Sequence, residues 1–349
     1  MRAMPLSLER AAAWRPPATW RRVTTVESHA AGEPLRVITG GLEPIPGDTI
    51  LAKRRYARER LDGLRRALIF EPRGHADMYA AIPTDPVTPD GDAGVLFLHN
   101  EGWSTMCGHG VIALVTVALE TGMLAPRDDA VRLDTPAGRV VARARRAGAR
   151  VASVAFENVP SYVVSLDDEI EVPVLGRVRY DLAFGGAFYA FVDATSVGLA
   201  MTPERFRDLI AAGMAIKRGV MASREIRHPR ERDLSFLYGT IFTGASLSEG
   251  AHSRNVCVFA EGEVDRSPTG TGVSARVAIE HARGRLRPGD PFVVESIIGT
   301  RFTGRVARAL TWEGLAAVVP EVEGSAHITG RGELLIAPDD PLPEGFILR

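Results

Sequence analysis

The chain repeats itself, and a repeat of this length limits the folds open to it. Gly108-His109-Gly110-Val111, an apolar run to Leu119 and a stop at Gly122 are matched by Gly270-Thr271-Gly272-Val273, a run from Ala275 to Ala282 and a stop at Gly284, at an offset of 162 residues. Ala137-Gly138-Arg139-Val140-Val141-Ala142 is matched by Thr303-Gly304-Arg305-Val306-Ala307-Arg308 at an offset of 166, and strand-like runs follow both, at 151–156 and 315–319. A third, weaker match sets the β-rich, glycine-interrupted stretch 23–38 beside 178–192. Three matches in one order predict two domains of similar build, each with several strands, one central helix and further strands. A chain of 349 residues also exceeds the size at which one core keeps growing. The expected division is a flexible extension over 1–21, a first domain over 22–170 and a second over 171–349, with the last strand free to return to the first.

Local patterns fill in an α+β fold. Residues 111–119 carry Val111, Ile112, Leu114, Val115, Val117 and Leu119, apolar nearly all round, so this helix should be enclosed by a curled, mainly antiparallel sheet. Its counterpart is interrupted by Arg276, Glu280 and His281 and should be more exposed. Segments such as 139–144 and 305–310 have strand character. Unmatched material lies at 43–66 and 202–232. Within the latter, Phe206, Leu209, Ile210 and Met214 predict an amphipathic surface helix over 203–218. The proline-rich stretch 82–91 reads as a loop.

Composition narrows the function classes. Lys and Arg number 42 against 43 Asp and Glu, a formal charge of −1, which gives no reason to expect nucleic acid or a membrane as partner. No run approaches the roughly 20 apolar residues of a membrane span. Two cysteines, Cys107 and Cys257, are too few for a disulfide framework, and a reduced, cytoplasmic setting fits. Residues 1–22 are rich in Arg, Ala and Pro, but Glu9 and the Pro16-Pro17 pair argue against a transit helix, leaving a disordered extension or a misplaced start site. His29, His75, His99, Asp77 and Glu33 lack metal-ligand spacing, and Phe184-Gly185-Gly186-Ala187 lacks both phosphate-loop and dinucleotide spacing. Neither metal nor cofactor is expected. Cys257, between Val256 and Val258, reads as a buried strand residue.

Cys107 precedes Gly108-His109-Gly110 at the start of the first central helix. There the helix dipole and free N–H groups favour a thiolate, so the thiol pKa is expected to fall below its usual value. The same N–H groups suit a carboxylate. One loop can therefore hold an amino acid's carboxylate and set a base beside its α-carbon; the bland alternative is a structural cysteine. The second half places Thr269 at the matching position, within Asp265-Arg266-Ser267-Pro268-Thr269-Gly270-Thr271-Gly272. Two helix mouths facing across a cleft would hold one substrate from both sides. One face carries a thiol and the other a hydroxyl, a poor acid–base group.

Met106-Cys107-Gly108-His109-Gly110 and the 265–272 segment resemble the two signature motifs of the proline racemase family. Residues 29–37, 71–79 and 99–102 add to a resemblance that spans about 22–345. It implies a diaminopimelate epimerase-like fold, with two pseudo-symmetric halves around an active-site cleft. Racemases and epimerases of the family carry Cys at both sites, and Thr at the second resembles the branch that dehydrates trans-3-hydroxy-L-proline. By this resemblance Cys107 accepts the proton, Thr269 occupies the second catalytic position, and Gly108, His109, Asp265, Gly270 and Thr271 hold the substrate's carboxylate and ring amine. Asp265 also reads as a turn aspartate, and His109 as a cation tuning the thiol. Tyr79, where the family often has Phe, and Phe259 align with positions near the proline ring, or are core residues. The expected activity is a cofactor-independent hydro-lyase acting on a small imino acid. A one-base epimerase or racemase and a non-catalytic amino-acid-binding protein are the alternatives. A homodimer is compatible with all three.

Overall fold

The computed structural model describes residues 6–348, and its strands fall into two sets with one connectivity. In the first set, Ala326–Ile336, Arg21–Ala30 and Glu33–Gly40 lie side by side, antiparallel. Glu33–Gly40 then runs parallel to Tyr79–Thr84, which pairs antiparallel with Ala93–His99. Ala93–His99 runs parallel to Ala130–Thr135, and Gly138–Ala147 and Arg150–Glu157 complete the set, antiparallel. The second set repeats this order and these directions with Ser161–Val172, Gly176–Phe184, Phe188–Asp193, Leu237–Gly244, Ser253–Phe259, Phe292–Glu295, Arg301–Trp312 and Leu315–Gly324.

Parallel neighbours need long crossovers, and each set has two at the same places. One crossover in each is a central helix, Gly108–Glu120 or Gly270–Ala282. The other consists of Ile50–Arg60 with Asp62–Ile69 in the first set and Phe206–Ser223 in the second. The two stretches without sequence similarity are thus structural equivalents. An outer crossover helix packs on one face only, so many sequences serve there.

The first central helix is buried from Gly108 to Leu119, as its composition requires. Its counterpart departs from expectation, being buried from Gly270 to Glu280 except at Arg276. Arg276 and Glu280 pair at 3.0 Å, so the charges that suggested exposure neutralise one another inside. One apolar cluster surrounds both helices, including Val111, Ile112, Val115, Val273, Val277 and Phe302.

Other expectations need adjustment. The expected boundary after residue 170 falls inside Ser161–Val172, whose partners all belong to the second set. Leu315–Gly324 pairs with that strand through Ala317 and Val318, and with the first set through residues 321–324. Residues 1–5 of the expected flexible extension lie outside the described residues. Leu8–Ala13 is a short helix capped by Ser7, with no buried side chain. The amphipathic helix starts at Phe206, which is exposed, and runs to Ser223. Ile82, Pro83 and Thr84 belong to a strand, so the loop begins at Asp85.

Candidate active site

The two central helices meet mouth to mouth. A Cβ on Gly108 would fall 2.5 Å from the Gly270 Cα, and one on Gly270 would fall 2.6 Å from the Gly108 Cα. Only glycine permits this approach, which sets two positive helix ends and their N–H groups side by side. Cys107 and Thr269, the residues just before these glycines, are brought together as N-caps.

Cys107 is 4 % exposed, with its Sγ accepting from Gly110 N at 3.3 Å and lying 3.3 Å from His109 Nδ1. Burial pushes the thiol well above its ordinary value, and negative charge at Asp265 and Glu33 adds to this against the Gly110 N–H. The expected lowering is therefore not met, because desolvation outweighs the helix end. His109 is equally enclosed, and burial holds its imidazole at about 4 despite Asp265 and the Pro34 carbonyl. It is neutral at neutral pH and cannot act as the cation considered above.

Thr269 adopts φ +67 and ψ 95, a region that β-branched residues avoid, and its buried Oγ1 pairs with no nitrogen or oxygen and faces the Cys257 thiol. Its amide donates to Ser267 Oγ at 3.1 Å. Asp265 receives Ser267 N at 2.7 Å, and its own amide donates to the carbonyl of Cys257, a fully buried strand residue as expected. Thr271 Oγ1 lies 2.7 Å from the Tyr189 hydroxyl.

An aromatic wall stands beside the thiol. Tyr79 meets His109 edge-on at 4.8 Å and Phe259 at 5.8 Å, and Phe259 stacks on Tyr238 at 5.4 Å. The Tyr79 and Tyr238 hydroxyls are hydrogen-bonded to each other. A cavity of about 410 Å³ reaches the far side of this wall at His99 and Tyr238, and neither Cys107 nor Thr269 lines it.

Sequence reasoning missed three participants. Glu33 is fully buried, and its Oε2 receives Arg266 N at 2.6 Å. Burial, then the neighbouring Asp265, pushes its carboxyl well above the usual range. Arg266 Nη1 also holds Asp77 Oδ2 at 2.7 Å. Glu33 and Asp77 stood in motifs already noted but were weighed only as metal ligands. Tyr238 belongs to the strand equivalent to that of Tyr79, so carrying the repeat one strand further would have found it. Of the histidines weighed as ligands, His29 Nδ1 accepts from Gly32 N, His75 Nδ1 contacts the Ala76 carbonyl and His99 pairs with Glu263.

This arrangement offers one thiol and one hydroxyl over converged N–H groups, with Asp265 nearby for a cation and an aromatic wall for a small ring. Comparison with known proteins gives the family. A trans-3-hydroxy-L-proline dehydratase of Colwellia psychrerythraea is 46% identical over 96% of this chain and 96% of its own. A 3-hydroxyproline 2-epimerase of Burkholderia multivorans is 45% identical over 94% of this chain and 99% of its own. The crystal structure of a hydroxyproline epimerase from Agrobacterium vitis, with bound trans-4-OH-L-proline, superposes with a TM-score of 0.89 at 34% identity, covering 95% of this chain and 96% of that one. A Bacillus anthracis protein of the phenazine biosynthesis PhzF family shares the fold at 11% identity and a TM-score of 0.57, over 90% of this chain and 99% of that one. The family model for proline racemase matches residues 25–347, and the chain belongs to that family.

Proposed function

We propose that this protein dehydrates trans-3-hydroxy-L-proline to Δ1-pyrroline-2-carboxylate, with Cys107 as the base. The carrying observation is the unequal pair of helix caps: a thiol at Cys107 and a hydroxyl at Thr269. Inverting a carbon by deprotonation and reprotonation needs an acid–base group on each face, and elimination needs a base on one. The substrate carboxylate would sit on the N–H groups of 108–109 and 270–272, with its ring ammonium beside Asp265. That ammonium cancels a charge that holds the Cys107 thiol up, so binding itself favours the thiolate.

Cys107 then removes the α-proton, and the developing charge spreads into the carboxylate held by the helix ends. The C–H electrons form the Cα–C3 double bond as the C3–O bond breaks. The resulting enamine tautomerises to the imine in solution. Epimerisation is the second reading, favoured by the name of the Burkholderia multivorans relative.

The deciding experiment incubates the protein with trans-3-hydroxy-L-proline beside cis- and trans-4-hydroxyproline and follows the cyclic imine. A parallel sample holds L-proline in deuterated water. We expect imine from the 3-hydroxy compound alone, and deuterated L-proline without D-proline. Rapid formation of D-proline would overturn the dehydratase reading.

A further inference from the structure

Dehydration requires an acid at the departing oxygen, for which the Thr269 hydroxyl, the newly protonated Cys107 and a water are the candidates nearest the helix caps. Hydroxide is a poor leaving group, and an acid placed at the departing oxygen typically contributes a factor of about 10² to 10⁴. His109 is neutral and lies against the thiol. Attention therefore turns to the aromatic wall.

Tyr79 and Tyr238 are 5 % and 6 % exposed, and their hydroxyls bond to each other between the rings of His99, His109 and Phe259. Packing against those neighbours asks only for the rings; Phe would fill the same space without bringing hydroxyls into an apolar wall, where they cost free energy unless paired. The Tyr238 hydroxyl also meets Ser104, whose own proton is held by the Met106 carbonyl; when Tyr238 donates to Tyr79 instead, the Tyr79 proton is the one left for a third oxygen. His109 touches both the Tyr79 ring and the base, with its ring 4.8 Å from the Tyr79 ring and its Nδ1 3.3 Å from the Cys107 Sγ. A five-membered imino acid with its carboxylate on the helix mouths and its α-hydrogen at Cys107 turns C3, the adjacent ring carbon, toward this wall.

We propose that the Tyr79 hydroxyl, oriented by Tyr238, gives its proton to the departing C3 oxygen, a role that rests on the dehydration reading above. Cys107 thiolate takes the α-hydrogen and becomes a thiol. The C3–O bond breaks with its electron pair on oxygen, which takes the Tyr79 proton and leaves as water. Tyr79 phenolate then recovers a proton from the Cys107 thiol, the more acidic of the two groups by ordinary values. Both residues return to their starting forms, and the α-hydrogen has been spent on water.

The test compares Tyr79→Phe with the wild type on three substrates. Water loss from trans-3-hydroxy-L-proline should fall at least about 100-fold. Exchange of the α-hydrogen of L-proline in deuterated water, which needs Cys107 but expels nothing, should fall by less than about a tenth of that factor. Fluoride release from 3-fluoro-L-proline, whose leaving group departs without a proton, should also survive. Tyr238→Phe keeps the Tyr79 hydroxyl but frees it to turn, and should lose about tenfold in water elimination alone. Water loss by Tyr79→Phe at near wild-type rate would overturn the proposal. So would a parallel fall in all three activities, which marks a packing role; should that variant not fold, Tyr238→Phe with unaltered water loss would do the same. A wild type that exchanges the α-hydrogen of trans-3-hydroxy-L-proline yet forms no imine would instead sink the dehydration reading.

Discussion

Thr269 is an uncomfortable residue in its place. A β-branched side chain at φ +67 costs on the order of 1–3 kcal/mol, and its buried hydroxyl has a weak sulfur partner, the Cys257 thiol, in return. Strain of this kind persists where the surroundings dictate the backbone, here the close meeting of Gly108 and Gly270. A thiol on that same backbone would face the α-carbon opposite Cys107. Thr269→Cys should therefore add epimerisation of trans-3-hydroxy-L-proline, at least tenfold above the wild type by chiral chromatography; an absence of the second epimer would refute the assigned face. Cys107, Thr269 and the glycines were legible because they stand at matched positions of a repeat. The height of the Cys107 pKa was not, since it depends on burial and on Glu33 and Asp265, which reach the thiol only through the fold. Glu33 itself was hidden for a related reason. It stands 232 residues from Asp265 in sequence, so nothing local marks it as a partner of the second motif.

At the level of elements, the repeat predicted two halves of like build, each around one central helix, because matched glycines and strand runs mark equivalent places; the order in which strands pair came only with the structure. The outer crossovers were illegible, since they keep a position in the fold without keeping a sequence. The second central helix was misjudged because side chains were counted singly. Arg276 and Glu280 are one turn apart, with side-chain exposures of 11% and 10%, and Arg285 adds a contact to Glu280 at 2.6 Å. A pair so enclosed is costly to break rather than costly to keep. Glu280→Ala leaves the Arg276 charge uncompensated and should lose about 3 kcal/mol in urea unfolding. The double change Arg276→Met with Glu280→Leu should recover most of that loss. An equal loss in both variants would mean that the helix is held by packing at these positions and not by charge balance.

At the scale of the molecule, the Cys107 thiol is enclosed, so a substrate reaches it through a more open form. Both halves share the strand Leu315–Gly324, and the chain passes between them near 158–160 and 324–326, so a hinge about that seam would leave both sheets intact. Across the cleft the halves are tied by Arg266, which holds Asp77 with its side chain and Glu33 with its amide, and by Thr300 Oγ1 donating to the Ala31 carbonyl at 2.7 Å. Arg266→Ala removes the ion pair but leaves the amide bond, so it should favour opening without dismantling either half. Cys107 is 4 % exposed, and a thiol reagent labels it in proportion to the open population. Loss of about 1.4 kcal/mol of closure corresponds to a tenfold faster reaction of Cys107 with iodoacetamide. Cys257 lies against Thr269 at the second helix mouth and so reports the same cleft, which leaves unfolding to be followed separately by urea titration. Mass spectrometry beside that titration separates the motions: Arg266→Ala should speed Cys107 about tenfold, leave the unfolding midpoint unchanged, and let saturating L-proline slow Cys107 again. If the midpoint falls in step with the faster labelling, the arginine maintains the fold and does not govern the cleft.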